Sequence, residues 1–196
     1  MDGFFAMLSR MKYINRWALM RNSYEENISE HSLEVAMLAH ALCTIGNKRL
    51  GKNLDAESAA MIAIYHDTTE IITGDMPTPI KYLNKDIKVA FKDIERQAAE
   101  KLLGMLPVDL QDEYRRWFFP SEGLAYECRL VKAADKFSAL IKCIEEEKAG
   151  NEEFTSAEKT LTEAINNMQL EEAVIFFDEF LPAYRLTLDE LQNTAL

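Results

Sequence analysis

Apolar residues recur through most of this chain at spacings of three and four, the period of helices buried on one face. Phe4, Leu8 and Met11 open the first such stripe. A second helix starts at an Asn27 or Ser29 cap, with Glu30 three residues after Asn27 resembling a capping box, and runs to about residue 45. Its inward face reads His31, Val35, Leu38, Leu42 and Ile45. Asp55 caps a third helix whose stripe is Ala59, Ile62, Ala63, His66 and Glu70, ending near Gly74. Pro77 and Pro79 predict a loop over residues 75–79. A charged helix is expected from about residue 86 to 103, and another from about 126 to 147 before Gly150. Two more flank Asn166 and Asn167, the last interrupted or kinked at Pro182. No segment alternates as a strand would, and no repeat is present. The expected architecture is all-α: one helical bundle, a single domain over residues 1–196.

Composition supports a folded core. Of 196 residues, 48% are hydrophobic and 28% charged, which excludes disorder. The three cysteines, Cys43, Cys128 and Cys143, form no Cys-x-x-Cys pair, so neither a disulfide framework nor a thiolate zinc site is indicated. That points to a reducing, cytoplasmic compartment. Acidic residues outnumber basic ones 33 to 22, and a net charge of −11 disfavours nucleic-acid polymers while leaving small phosphorylated ligands open. The longest apolar run, residues 59–65, is far short of the ~20 a bilayer span requires, and Arg10 and Lys12 interrupt any signal-peptide core. No membrane partner is expected.

Polar groups on buried faces are costly without partners, so they mark candidate chemistry. His31 and His66 point inward from different helices, whereas His40 faces away from His31. Asp67 follows His66, and Asp135 interrupts an apolar face one turn after Val131. Two imidazoles and two carboxylates suit a first-row divalent ion such as Mn, Fe, Co or Zn. Each has a plain alternative: an inward histidine is commonly a hydrogen-bonded core residue, and Asp135 could pair with Lys132 or Lys136. The joint pattern is stronger, because three helices must converge their rare inward polar groups.

His31, His66-Asp67 and Asp135 resemble the H…HD…D signature of the HD-domain metal-dependent phosphohydrolases. Ile14-Asn15-Arg16-Trp17, residues 27–34, Tyr65-His66-Asp67 and residues 74–82 further resemble the bacterial 5′-deoxynucleotidase subgroup. The resemblance implies an HD-type bundle, one divalent ion held by His31, His66, Asp67 and Asp135, deoxyribonucleoside 5′-monophosphates (dNMPs) as substrates, and a homodimer.

It also assigns tasks. Glu70 would orient or deprotonate the attacking water, the alternative being a surface glutamate near a helix end. Asp75 would protonate the leaving 5′ oxygen or hydrogen-bond the sugar. Arg16 would fork onto the phosphate, and Trp17 would pack against the sugar and disfavour a 2′ hydroxyl. Met76, Pro77 and Thr78 would line the substrate pocket beside Asp75, with His31 and Asp135 touching substrate as well. Spacing alone leaves Arg16 as a helix cap and Trp17 as a core plug. Trp117-Phe118-Phe119 and the apolar run 174–177 read as core or subunit contact. Competing functions are an HD hydrolase for di- or triphosphates or cyclic nucleotides, and a non-catalytic nucleotide-binding regulator.

Overall fold

The computed structural model describes residues 2–81 and 83–193, with the side chain of Thr78 outside that description as well. Tyr82, part of one motif above, therefore lies outside the described residues. Eleven α-helices run in order among them: α1 Phe4–Leu8, α2 Ile28–Arg49, α3 Ala56–Tyr65, α4 Glu70–Thr73, α5 Thr78–Lys81, α6 Lys85–Leu103, α7 Val108–Phe118, α8 Ala125–Lys148, α9 Thr155–Asn166, α10 Glu171–Glu179 and α11 Leu188–Asn193. No strand occurs among the described residues, only an isolated bridge between Asn15 and Asn27.

Local signals account for the long helices. Asn27 Oδ1 accepts from the backbone N–H groups of Ser29 and Glu30, and the Glu30 carboxylate accepts from the Asn27 N–H, so the capping box is complete. Asp55 and Asn84 cap α3 and α6 with their side chains alone, accepting from the backbone N–H groups of Ser58 and Ile87. The main core lies where α2, α3 and α8 meet, closed by α9 and α10, with Val35, Leu42, Ala63, Leu130, Phe137 and Phe176 among its buried residues. Phe137 and Phe176 pack with ring centroids 4.8 Å apart. Burying each such ring stabilises the fold by about 1.5–3 kcal/mol.

A second, smaller core gathers Phe4, Leu102, Leu103 and Leu106, with Tyr65, Tyr114, Phe118 and Phe119 against it. It braces the end of α3 immediately before His66.

Four expectations need correction. The first helix stops at Leu8 and resumes only as a tight turn over Met11–Tyr13. The third helix breaks after Tyr65, because Thr68 turns its hydroxyl back onto the Tyr65 carbonyl at 2.7 Å and the backbone closes in three-residue turns before α4. The segment 75–79 is not wholly loop: Pro79 sits in the first turn of α5, where its missing N–H costs nothing. Finally, α7 occupies a stretch to which the pattern above assigns no helix. Trp117 packs on the main core and Phe118 and Phe119 on the smaller one, so that aromatic cluster is core. The run 174–177 divides, with Phe176 buried and Val174 exposed.

Candidate metal centre and adjoining pocket

The capping box fixes the first turn of α2 and thereby aims His31 inward, fully buried. Its Nδ1 lies 2.9 Å from Ser138 Oγ on α8, and its Nε2 lies 3.2 Å from Asp135 Oδ1 and 3.5 Å from Asp67 Oδ2. His66 donates Nδ1–H to the Ala63 carbonyl at 2.6 Å, which turns its Nε2 towards Asp67 Oδ2 at 3.1 Å. The break after Tyr65 is what lets both His66 and Asp67 face this point. His31, His66 and Asp67 each present a ligand atom within 4.8 Å of the other two. Asp135 joins through its contact with His31 and is about two-fifths exposed, on the pocket side. Neither Lys132 nor Lys136 is its partner in an ion pair of 4 Å or less. His40 is exposed on the far side of α2, as its spacing predicts.

The donor set fits a divalent ion. Both buried Nε2 atoms lack a hydrogen-bond partner, and a nitrogen–oxygen set of this kind suits first-row metals. The titration pattern agrees. Burial works against a charged His66, yet Asp67 outweighs it and raises the ring to about 9. Burial likewise opposes ionisation of Asp67, and the nearby charges of His66, His31 and Arg16 hold it well below the carboxylate range. The site is built around positive charge, and a proton on His66 competes with a metal for the same nitrogen. His31 is lowered by burial and by Arg16, so it stays neutral.

Beside this cluster opens a pocket of about 560 Å³. Arg16, Trp17, Glu70, Asp75, Met76 and Pro77 line it with Asp67 and Asp135. Glu70 is buried, not a surface residue, and its Oε2 has no partner. Burial, reinforced by Asp67 and Asp75, raises its carboxyl to about 9. Asp75 is raised by burial too, although Arg16 opposes the shift. Thr78 contributes its backbone to α5 next to the pocket.

Sequence reasoning missed Glu26. This buried carboxylate accepts from Arg16 Nε at 3.2 Å and from Trp17 Nε1 at 2.8 Å, holding both side chains at the pocket wall. Arg16 also reaches Asp67 at 3.4 Å. Trp17 adopts φ 60°, unusual for a bulky residue, and packs edge-on against Phe154. The opposite wall comes from α9, with Ser156, Thr160 and Leu161, whose helix was expected but not its place at the site.

Residues 3–184 match the family model described as 5′-deoxynucleotidase YfbR-like. The chain is 48% identical over 188 residues to a 5′-deoxynucleotidase of Vibrio cholerae, covering 96% of this chain and 97% of the relative. It is 47% identical over 191 residues to one from Photorhabdus laumondii, covering 97% of each. Among solved structures it resembles an HD-domain phosphohydrolase from Listeria innocua, with a TM-score of 0.79 at 22% identity, covering 97% of this chain and 95% of that one. It also resembles an HD phosphohydrolase of cyanophage S-2L bound to dA and one catalytic zinc ion, with a TM-score of 0.65 at 19% identity over 90% and 95% of the two chains.

Proposed function

This chain belongs to the YfbR-like family of 5′-deoxynucleotidases, and on that premise we propose that the pocket beside His31, His66 and Asp67 is where it hydrolyses dNMPs to deoxyribonucleosides and phosphate, with selection against ribonucleotides. The observation that carries this reading is the convergence of two unpartnered imidazole nitrogens with Asp67 at the wall of a nucleotide-sized pocket.

His31, His66, Asp67 and Asp135 would hold one divalent ion, zinc as in the cyanophage enzyme or cobalt or manganese. Bound there, such an ion would neutralise phosphoryl charge and acidify water. Arg16, always charged and fixed by Glu26, would fork onto the phosphate oxygens. Glu70 offers a free acceptor to the attacking water, and its raised pKa keeps a proton on it until positive charge enters the pocket. Asp75, elevated by burial, is suited to protonate the leaving 5′ oxygen or to hydrogen-bond the sugar. Trp17, rigid between Glu26 and Phe154, would wall off the 2′ carbon, with Met76, Pro77 and Thr78 closing the pocket around the nucleotide. We expect a single-domain homodimer in the cytoplasm that acts on small nucleotides. No helix among the described residues is long and apolar enough to cross a membrane.

Phosphate release from matched dNMP and NMP panels, with and without chelator, tests the reading. Wild type should lose activity on chelation, regain it with a divalent ion, and prefer dAMP over AMP. A hydrophobic wall rejects an added hydroxyl by only ~10², and burying that hydroxyl unpartnered adds about 1–3 kcal/mol. Trp17→Ala should therefore lower kcat/KM for dAMP and narrow the dAMP-to-AMP gap. An unchanged ratio would reduce Trp17 to packing, and chelator-resistant activity would overturn the metal role.

A further inference from the structure

His31 Nδ1 faces neither a carboxylate nor a carbonyl but the hydroxyl of Ser138, and that hydroxyl in turn lies 2.5 Å from Glu34 Oε2. His31 and Ser138 are both fully buried, so water cannot trade roles with either. The nearest other carboxylate oxygen on Nδ1, Glu26 Oε1, is 4.0 Å away, too far to hydrogen-bond.

Counting protons on the Nδ1 side gives the direction once Nε2 is committed to an ion. An ionised Glu34 only accepts, so the single Ser138 O–H must be donated to it. The Ser138 oxygen then has only lone pairs to offer Nδ1, which must carry the ring proton. A neutral imidazole protonated at Nδ1 leaves Nε2 bare, facing Asp67 and Asp135. The reverse arrangement, with Ser138 donating to Nδ1, would set a hydroxyl lone pair against a carboxylate oxygen at 2.5 Å. His31 and Glu34 stand one turn apart on α2, as Asp135 and Ser138 do on α8, so two packed helices each supply an inward group and half of its support.

We infer that Glu34 and Ser138 are positioning residues that lock His31 in its Nδ1–H tautomer and so keep Nε2 available as a metal ligand. The inference rests on the metal reading above: with an ion on Nε2, the Asp67 and Asp135 oxygens no longer face a bare lone pair, and the Ser138 side alone decides where the ring proton sits. Metal-binding histidines characteristically donate their second N–H to an oriented acceptor, and losing that acceptor typically weakens metal affinity 10–100-fold. Burial lifts the Glu34 carboxyl to about 7, with its Ser138 hydrogen bond and Arg16 pulling down and Glu26 and Glu145 pushing up, so a comparison at about pH 8 keeps it ionised.

The experiment uses full-length protein at that pH, loaded with Zn²⁺ for the spectra and metal-stripped for the titration, with Glu34→Gln, Ser138→Ala and Ser138→Thr variants. Nitrogen NMR of labelled histidine, with His31 identified by its loss in His31→Gln, reads the tautomer. Calorimetric titration with Mn²⁺ alone reads affinity. Wild type should show Nδ1–H at His31. In Glu34→Gln the amide can donate to Ser138, release the hydroxyl towards Nδ1 and move the proton to Nε2. Glu34→Gln and Ser138→Ala should each bind Mn²⁺ roughly ten- to a hundredfold more weakly, while Ser138→Thr, which keeps the hydroxyl, restores affinity to within a few-fold. Wild-type tautomer and affinity in both weakened variants would overturn the inference. Should Ser138→Ala fail a thermal-melt check, Glu34→Gln, at a partly exposed position, decides alone. If wild type takes up no divalent ion, the metal reading fails and this inference with it; if wild type binds and neither Glu34→Gln nor Ser138→Ala weakens uptake, the relay alone fails.

Discussion

Arg16 is surrounded by acid: Glu26 and Asp67 touch it, and the fields of Asp135 and Asp75 reach it too. Its side chain is about 13% exposed, so its charge is poorly screened and available to a phosphate at the pocket. A charge-assisted hydrogen bond contributes about 1.5–3 kcal/mol. Arg16→Ala should therefore cut kcat/KM on dNMPs at least roughly tenfold. The same substitution removes a charge that holds Asp67, Glu70 and Asp75 down, so the loss should exceed that of a phosphate contact alone. Inhibition by free deoxynucleosides, which carry no phosphate, should barely change. Steady-state kinetics on dNMPs and inhibition by deoxynucleosides read both halves; full activity in the variant would make Arg16 purely structural.

The short α4 and the turn that follows it place Glu70 and Asp75 on the same pocket, and Gly74 makes the connection. Its backbone, φ 72° and ψ 162°, lies in a region essentially reserved for glycine, and it closes α4 by donating its N–H to the Glu70 carbonyl at 2.8 Å. A Cβ at Gly74 would meet nothing within 4 Å, so Gly74→Ala isolates backbone strain from clash. We expect a cost of about 1–3 kcal/mol, seen as a lower Tm, together with reduced kcat as Asp75 shifts. A variant as stable and as active as wild type would show that this turn relaxes freely. The same logic explains why the capping box matters beyond stability: it sets the first turn of α2, and His31 sits in that turn.

Distant parts of the bundle are tied together by a buried ion pair inside α8. Lys142 and Glu146 contact each other, Lys142 Nζ donates to the Tyr24 carbonyl at 2.8 Å, and Glu146 accepts from the Ser23 N–H and from Asn151. This pins the segment that carries Arg16 and Trp17 against the main core. Burial alone would raise Glu146, but the hydrogen bonds from Lys142, Asn151 and Ser23 overcome it and hold the carboxyl at about 2, below its ordinary 4.5. A folded-state pKa lowered in this way contributes stability that is complete above pH 4.5 and disappears as pH falls towards about 2. Denaturant unfolding across that window should show wild type losing stability more steeply than Glu146→Gln. Parallel pH profiles for the two would remove this pair from the account.

Short-range chemistry was legible in the sequence. Asn27 and Glu30 announce the start of α2, the three-and-four spacing of Val35, Leu38 and Leu42 fixes its buried face, and His31 falls on that face because a helix repeats every 3.6 residues. The all-α bundle and the inward direction of His31 follow from the same local rule. Other features depend on groups far apart in the chain. The break after Tyr65 defeats a straight stripe through His66 and Glu70: the Thr68 hydroxyl takes the Tyr65 carbonyl, and Tyr65 itself is held against the second core by residues from α1, α6 and α7. Ser138 meets Glu34 across 104 positions, Arg16 meets Asp67 across 51, and Glu26 gathers Arg16 and Trp17 by folding the chain back on itself. Periodicity reports which face of an element is buried, but the partner that satisfies a buried polar group is chosen by packing, and that choice belongs to the tertiary structure alone.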